Sequence, residues 1–354
     1  MNELDHLVKS INFVILGDNA IAGELGKKGT TTDISIYDKK MSDSIYTFTI
    51  PLTYPEKLPS LIQAINMSEY AILNITKIDK NLGEQIVALD SLNFKDGFIL
   101  HSYDVDEEKI RLLIRNTSIK DFKFVNNLDE LKQEFSLIEP KNSFYNGQKV
   151  DIPESELSKY IDTSSKVVSI DHAFDVKGVG TVVLGVIKQG IIRVHDQLQV
   201  MPADINVTIK SIQMHDTPVE ESTSPARVGL ALKGITADKL SRGDLLCSKL
   251  VDSKDNMIKV ATDGDILAAK FKRNSFFKGE VLENQIYMLA IGLQIKPAKI
   301  KRISKDDNDH DNPDYIEFVP EKPFVYVRNQ IFLLLKLDTS GVRIVGKALL
   351  HDTS

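Results

Sequence analysis

An α/β domain followed by two antiparallel β-barrels is the architecture that this sequence of 354 residues predicts. Three observations carry that expectation. Strand-like and helix-like runs alternate over residues 1–138. A polar stretch with Pro140, Asn142, Asn146-Gly147 and Pro153 follows over 139–165 and reads as a linker. From Lys166 onward helical periodicity nearly vanishes in favour of short, glycine-punctuated β runs. The length itself suits two or three domains, each with its own core.

In the first part, residues 11–16 form a short apolar run stopped by Gly17-Asp18-Asn19, a buried strand ending in a turn. Residues 33–37 and 45–50 are two further strands. Over 55–67, Leu58, Leu61, Ile62 and Ile65 are spaced as one helix face. Residues 70–75 are another buried strand, and 82–92 repeat the helical spacing through Ile86, Leu89 and Leu92. Residues 97–100, 107–114, 122–125 and 128–135 continue strand, helix, strand, helix. Such alternation calls for a mainly parallel sheet covered on both faces.

Residues 166–250 carry glycines at 178, 180, 185, 190, 229, 234 and 243, the pattern of an antiparallel barrel. A second barrel is expected over 258–354, from runs at 265–271, 285–289, 294–303, 317–319, 324–327, 332–337 and 343–350. The acidic insert 304–314 reads as a hairpin tip between its strands.

Composition bounds the function. Hydrophobic residues at 42% can bury several cores, and the single cysteine, Cys247, excludes a disulfide framework and a multi-cysteine zinc site. The opening residues show no basic region followed by an apolar core, and no apolar run approaches the roughly 20 residues that span a bilayer. A soluble, cytoplasmic protein with no membrane partner is therefore expected. The net charge of −6 is uneven: 18 cationic against 25 acidic side chains in residues 1–159, then 10 against 10 in 160–250 and 16 against 15 beyond. No domain carries the basic excess of a DNA-binding protein. An RNA partner would rest on a local patch such as Lys296, Lys299, Lys301 and Arg302, which reads equally as a solvated strand and turn.

The segment from Val168 to Gly185 (VSIDHAFDVKGVGTVVLG) resembles the first hairpin of the second domain of elongation factor Tu and its selenocysteine-specific relative SelB. Gly178 and Gly180 suit the tight hairpin, and Gly185 a bend of the barrel strand. The matches continue in the family's order with GIIRVHDQLQV at 190–200, VTIKSIQ at 207–213, PVEE at 218–221, RVGLALKGI at 227–235 and SRGDLL at 241–246. His195 stands where that family has glycine. RIVG at 343–346 is similar to the closing strand of the family's third domain. The resemblance implies a GTPase-like α/β domain in front of the two barrels.

That front domain departs from the pattern that binds GTP and Mg²⁺. The phosphate loop G-x-x-x-x-G-K-[ST] is represented by GDNAIAG at 17–23 followed by Glu24-Leu25, without the lysine and the hydroxyl. Gly26-Lys27 comes three residues late. KGTTTD at 28–33 is similar to the end of the family's first switch, which would make Thr31 its Mg²⁺-binding threonine; a strand-forming threonine is the other reading. Only fourteen positions separate Gly17 from Thr31, so the family's first helix has no room. The element D-x-P-G-H becomes PLTYP at 51–55, putting Pro51 at the Asp, Tyr54 at the Gly and Pro55 at the His. Neither proline can hold a metal-bound water or orient an attacking one. The guanine-recognition N-K-x-D becomes HSYD at 101–104, where Asp104 alone survives and serves equally as a helix N-cap. Thr76-Lys-Ile-Asp79 is closer by letter, yet one βα unit too early.

The histidines show no metal-ligand spacing, and Asp309-His310-Asp311 reads as a hydrated loop tip. No nucleophile motif and no dinucleotide-binding glycine pattern is present. The resulting expectation is a pseudo-GTPase without catalytic or metal residues, whose nucleotide-binding remnant is Gly17, Lys27, Thr31 and Asp104. It would bind tRNA, the ribosome or another translation factor, with Glu220, Glu221 and Arg227 as candidates for the ligand-facing surface. The alternative is a GTPase in which those four remnant residues form a rearranged site for GTP and Mg²⁺.

Overall fold

The computed structural model describes residues 8–41, 43–141, 165–248, 258–304 and 314–350. Most of the linker at 139–165, the hairpin tip at 304–314 and the acidic triplet at 309–311 lie outside these residues.

In the first domain, β1 (Lys9–Gly17) leads into a single turn, α1 (Ala22–Leu25), and then β2 (Lys27–Thr31), β3 (Ser35–Lys40) and β4 (Ser44–Ile50). The units α2 (Leu58–Asn66), β5 (Tyr70–Ile75), α3 (Lys80–Ser91), β6 (Gly97–His101), α4 (Glu107–Ile114), β7 (Lys123–Val125) and α5 (Leu128–Glu134) follow. The sheet order is β2-β3-β4-β1-β5-β6-β7, parallel from β4 to β7, with β2 and β3 antiparallel at one edge. Alternation along β1 serves both faces: Val14 and Leu16 join one core with α2 and α3, while Phe13 and Ile15 join another with Phe48 and Phe135. Asp79 starts α3 by accepting from the amides of Asn81 and Leu82, both at 2.9 Å.

Sequence reasoning placed no strand at Lys27–Thr31. Lysine and glycine have little β propensity, and pairing with the otherwise open edge of β3 overrides it. The family's first helix is reduced to the one turn of α1.

The second domain comprises β8 (Val167–Val176), β9 (Gly180–Gln189), β10 (Ile191–Arg193), β11 (Gln197–Met201), β12 (Ile205–Met214), β13 (Thr217–Val219), β14 (Glu221–Thr223), β15 (Arg227–Lys233) and β16 (Leu245–Cys247). The order β11-β16-β8-β9-β15-β12 closes through a β11–β12 pairing into a six-stranded barrel. Gly185 permits the close crossing of β8 and β9, since a Cβ there would lie 2.6 Å from the carbonyl oxygen of Ser169.

The third domain comprises β17 (Ile258–Ala261), β18 (Leu267–Arg273), β19 (Ile286–Ile291), β20 (Gln294–Ser304), β21 (Asp314–Pro320), β22 (Phe324–Val327), β23 (Ile331–Leu335) and β24 (Ile344–Leu350). Six of these strands close a barrel in the order β18-β21-β20-β19-β23-β24. The domains share cores: Ala290, Leu293, Leu333, Leu335 and Ile344 of the third pack into the α2–α3 core of the first. Val167, Leu245 and Cys247 of the second meet Ile258 and Val325. Among the described residues no helix is long and apolar enough to cross a membrane.

Candidate functional site

The carboxyl edge of the parallel strands is where an open α/β sheet ordinarily takes a ligand. Here the loop after β1 is turned onto its neighbours. Gly17 has φ +79°, and its amide donates to Gln85 Oε1 of α3 at 3.0 Å. The Asp18 amide donates to the Asn74 carbonyl at 2.8 Å, while Asn74 Nδ2 donates back to the Asp18 carbonyl at 2.9 Å. The Ala20 amide is taken by Asp18 Oδ1, and those of Ala22, Glu24, Leu25 and Gly26 close the turn of α1. Most amides that could face an anion are thus already bonded.

Register locates the other remnant residues. Lys27 lies opposite Asp38, which lies opposite Thr47, which lies beside Asn12 of β1. Lys27 is therefore three strands, roughly 14 Å, across the sheet from β1, and level with a residue roughly 16 Å before Gly17. Thr31 ends β2 opposite Ser35, exposed, at the same three-strand remove. Asp104 occupies an exposed turn after β6 and shares the carboxyl edge with Gly17. The cap of α4 is Asp106, whose Oδ1 accepts from the Glu108 amide at 3.0 Å, which corrects the reading of Asp104 as N-cap. Gly17 and Asp104 thus share an edge; Thr31, level with the end of β4 through Ser35 and Ile50, lies toward the same edge but three strands from Gly17, and Lys27 stands apart from it.

The PLTYP segment faces the third domain. Tyr54 donates its hydroxyl to the Asn81 carbonyl at 2.9 Å, and burial pushes its phenol well above the usual range. The Arg343 guanidinium stands 5.8 Å from its ring centre. Arg343 in turn grips the buried Glu84 of α3, with Nη2 at 2.5 Å from Oε2 and the backbone amide at 2.9 Å from Oε1. The position expected to carry glycine in a mobile switch carries instead a tyrosine packed beneath an interdomain ion pair.

The seam between the first two domains holds the densest polar cluster. Arg227, a ligand-facing candidate, is only 11% exposed and is bound to Asp171 through Nε at 2.8 Å and Nη2 at 3.2 Å. His172 places Nδ1 2.8 Å from Asp171 Oδ1 and Nε2 3.1 Å from the Thr32 hydroxyl. Arg242 reaches across to Asp33 with Nη1 and Nη2 at 2.6 and 2.8 Å, and donates to Gln63 Oε1 at 2.9 Å. Gln63 Nε2 donates onward to the Leu293 carbonyl of the third domain at 2.8 Å, so one side chain of α2 joins all three domains. Burial would raise the Asp171 carboxyl, but Arg227 and His172 more than reverse this and leave it lowered to about 2. The Arg242 hydrogen bonds likewise hold Asp33 lowered to about 2. Two arginines against two carboxylates leave the cluster internally compensated. Of the other candidates, Glu221 pairs with Arg193 at 2.8 Å, and Glu220 is exposed.

Sequence reasoning singled out Arg227 but not its partner Asp171, and missed His172, Arg242, Gln63 and Glu84. Arg242 sits inside the quoted SRGDLL segment, but its partner Asp33 is 209 positions away, so no local spacing announces the pair.

Comparison with known proteins agrees with the three-domain fold. A family model for elongation factor Tu domain 2 matches residues 180–247. An uncharacterized protein of Methanocaldococcus jannaschii is 36% identical over 287 residues, covering 81% of this chain and 84% of its own length. The selenocysteine-specific elongation factor of the same organism is 29% identical over 312 residues, 83% of this chain but 62% of that factor. The crystal structure of SelB from Methanococcus maripaludis with the GTP analogue GppNHp superposes with a TM-score of 0.76 at 22% identity, covering 98% of this chain and 80% of that one. With a compact βαβ domain, two closed six-stranded barrels in the same order and these relatives, the chain belongs to the elongation factor Tu/SelB-like family of translational GTPases.

Proposed function

We propose that this member of the family is a pseudo-GTPase. It works in the cytoplasm as a binding module on tRNA, the ribosome or another translation factor, without a nucleotide-driven switch. One observation carries the reading: the loop after β1 bonds its own amides to Gln85, Asn74 and the α1 turn, in the place where a phosphate cradle would need them free. A magnesium-bound guanosine triphosphate does not fit these residues. The ammonium of Lys27 starts three strands away, and Pro51 and Pro55 supply neither a carboxylate nor an imidazole.

The translation partner follows from similarity to translation factors, such as the selenocysteine-specific factor and the elongation factor 1-alpha of Thermoplasma acidophilum. An RNA is favoured by the outer face of the third domain. There Arg302 stands in register with Glu317, Lys270 with Tyr315, and Tyr315 with Ser304, while Lys299 and Lys301 extend β20. Cations beside an exposed tyrosine suit a phosphate backbone with stacked groups. Glu220, which is exposed, and Glu221, half-buried and paired with Arg193, remain the candidate ligand-facing carboxylates of the second domain.

Isothermal titration of the full chain with GTP and GDP in the presence of Mg²⁺ tests the nucleotide half. No saturable heat is expected up to about millimolar ligand, a binding free energy weaker than about 4 kcal/mol. Micromolar affinity, with hydrolysis abolished in Lys27→Ala, would instead establish the rearranged GTPase.

A further inference from the structure

The β2–β3 hairpin forms one edge of the first domain's sheet, and its charge is lopsided. Residues 27–40 contain four lysines, Lys27, Lys28, Lys39 and Lys40, and two aspartates, Asp33 and Asp38. Both carboxylates turn to the second domain: Asp33 is held by Arg242, and Asp38 Oδ1 lies 3.4 Å from His215 Nδ1. Among the described residues, no carboxylate stands within ion-pair distance of any of the four lysines. The hairpin therefore carries a net positive charge, four lysines against two aspartates, on a domain whose balance is otherwise acidic.

Register groups the charges. Lys27 opposes Asp38 and Lys28 opposes Tyr37, so Lys27 and Lys40 share one face of the hairpin, and Lys28 and Lys39 the other. The four Cα positions lie within about 11 Å of one another, given strand rise and spacing. Lysines on an edge strand commonly guard against unwanted pairing. That role covers Lys27 and Lys28 on β2 and also Lys39 and Lys40, where β3 runs past β2 and pairs only with β4, but it does not require four cations gathered at one place.

We propose that this hairpin is a contact for the phosphate backbone of an RNA strand, passing along the edge of the first domain beside its seam with the second. Flexible ammonium groups on both faces of a narrow ridge, with no apolar pocket between them, suit a chain of phosphates read without regard to sequence. The inference rests on the reading of an RNA partner and adds a second, separate surface to that of the third domain.

The test is fluorescence anisotropy of unfractionated deacylated tRNA with the full chain over a range of salt. Each lost phosphate contact removes about 0.7–0.9 from the slope of log K against log salt. Lys27→Ala, Lys28→Ala, Lys39→Ala and Lys40→Ala together are expected to flatten the slope by about 3 and weaken binding at least tenfold at about 0.1 M salt. The fourfold Lys→Arg variant should bind as the wild type does, which separates lost charge from lost fold. A slope unchanged in the alanine variant, while Lys299→Ala, Lys301→Ala and Arg302→Ala weaken binding, overturns this inference alone. Absence of tRNA binding by the wild type overturns this inference together with the tRNA partner of the proposed function. Binding of poly-glutamate that is lost in the hairpin variant, with tRNA affinity untouched, assigns the ridge to an acidic protein segment and also overturns it.

Discussion

Single residues show where this chain stretches the rules of its fold. His195 has φ +71° and an exposed side chain, at a position where the family resemblance called for glycine. The left-handed region costs a Cβ-bearing residue on the order of 1 kcal/mol. His195→Gly should therefore raise the melting temperature by a few degrees, as calorimetry would record. Asp244 presents the opposite strain. It is buried in the turn after Arg242, with Ser241 donating to its Oδ2 at 2.7 Å, and burial raises its carboxyl to about 6, opposed in part by Lys296. A carboxyl whose folded pKa exceeds the unfolded value of 3.8 binds its proton more tightly in the fold. Stability from this group is therefore complete below about pH 4 and is lost as pH rises through about 6. Asp244→Asn keeps the acceptor and should stabilise the chain at pH 7.5 by up to roughly 2–3 kcal/mol. It should also erase the wild type's gain between pH 7 and 4.5 in urea unfolding. Asp33 and Asp171, lowered to about 2, work in the other direction and lose their contribution as pH falls from about 4 through 2.

At the scale of elements, the decisive change is the exchange of a helix for one turn and an edge strand. The loop that precedes them has no slack: a Cβ on Gly17 would lie 2.0 Å from the Asn74 carbonyl oxygen, at a positive φ. Gly17→Ala is expected to cost more than about 2 kcal/mol, whereas Gly23→Ala, which meets nothing within 4 Å, should be near neutral. Equal effects in thermal melts would mean that the loop is not held against β5 as described. The strands and helices with strong apolar periodicity were legible in advance: residues 70–75 and 107–114 coincide with β5 and α4. β2 was not, because its residues, Lys27 to Thr31, carry no apolar alternation and are a strand only through β3. The cap of α4 was misplaced by two positions, from Asp104 to Asp106, since both precede the helix and only backbone direction chooses between them.

Across the whole molecule, ion pairs and shared cores hold the three domains together at three seams. Arg343 and Glu84, 14% and 7% exposed, form a pair that cannot lose one member cheaply. Arg343→Ala leaves a buried carboxylate unmatched and should cost about 3–5 kcal/mol in chemical denaturation. Replacing both partners with apolar residues should recover most of that loss. A loss that is just as large in the double variant would show that packing around Tyr54, not the charge pair, joins the domains.

The sequence alone determined that an α/β domain leads two glycine-turned barrels, and that Pro51, Pro55 and the loop at 17–25 differ in residue type from the family's motif positions. These are local properties: periodicity, turn glycines and the presence or absence of a functional group at a motif position. Only the tertiary structure decided that Arg227 is spent inside the protein on Asp171, that Lys27 and Thr31 lie away from Gly17, and that Gln63 joins three domains. Each of these depends on residues brought together from distant parts of the chain, and hydrogen-bond register and buried charge pairing act only once the sheets have closed.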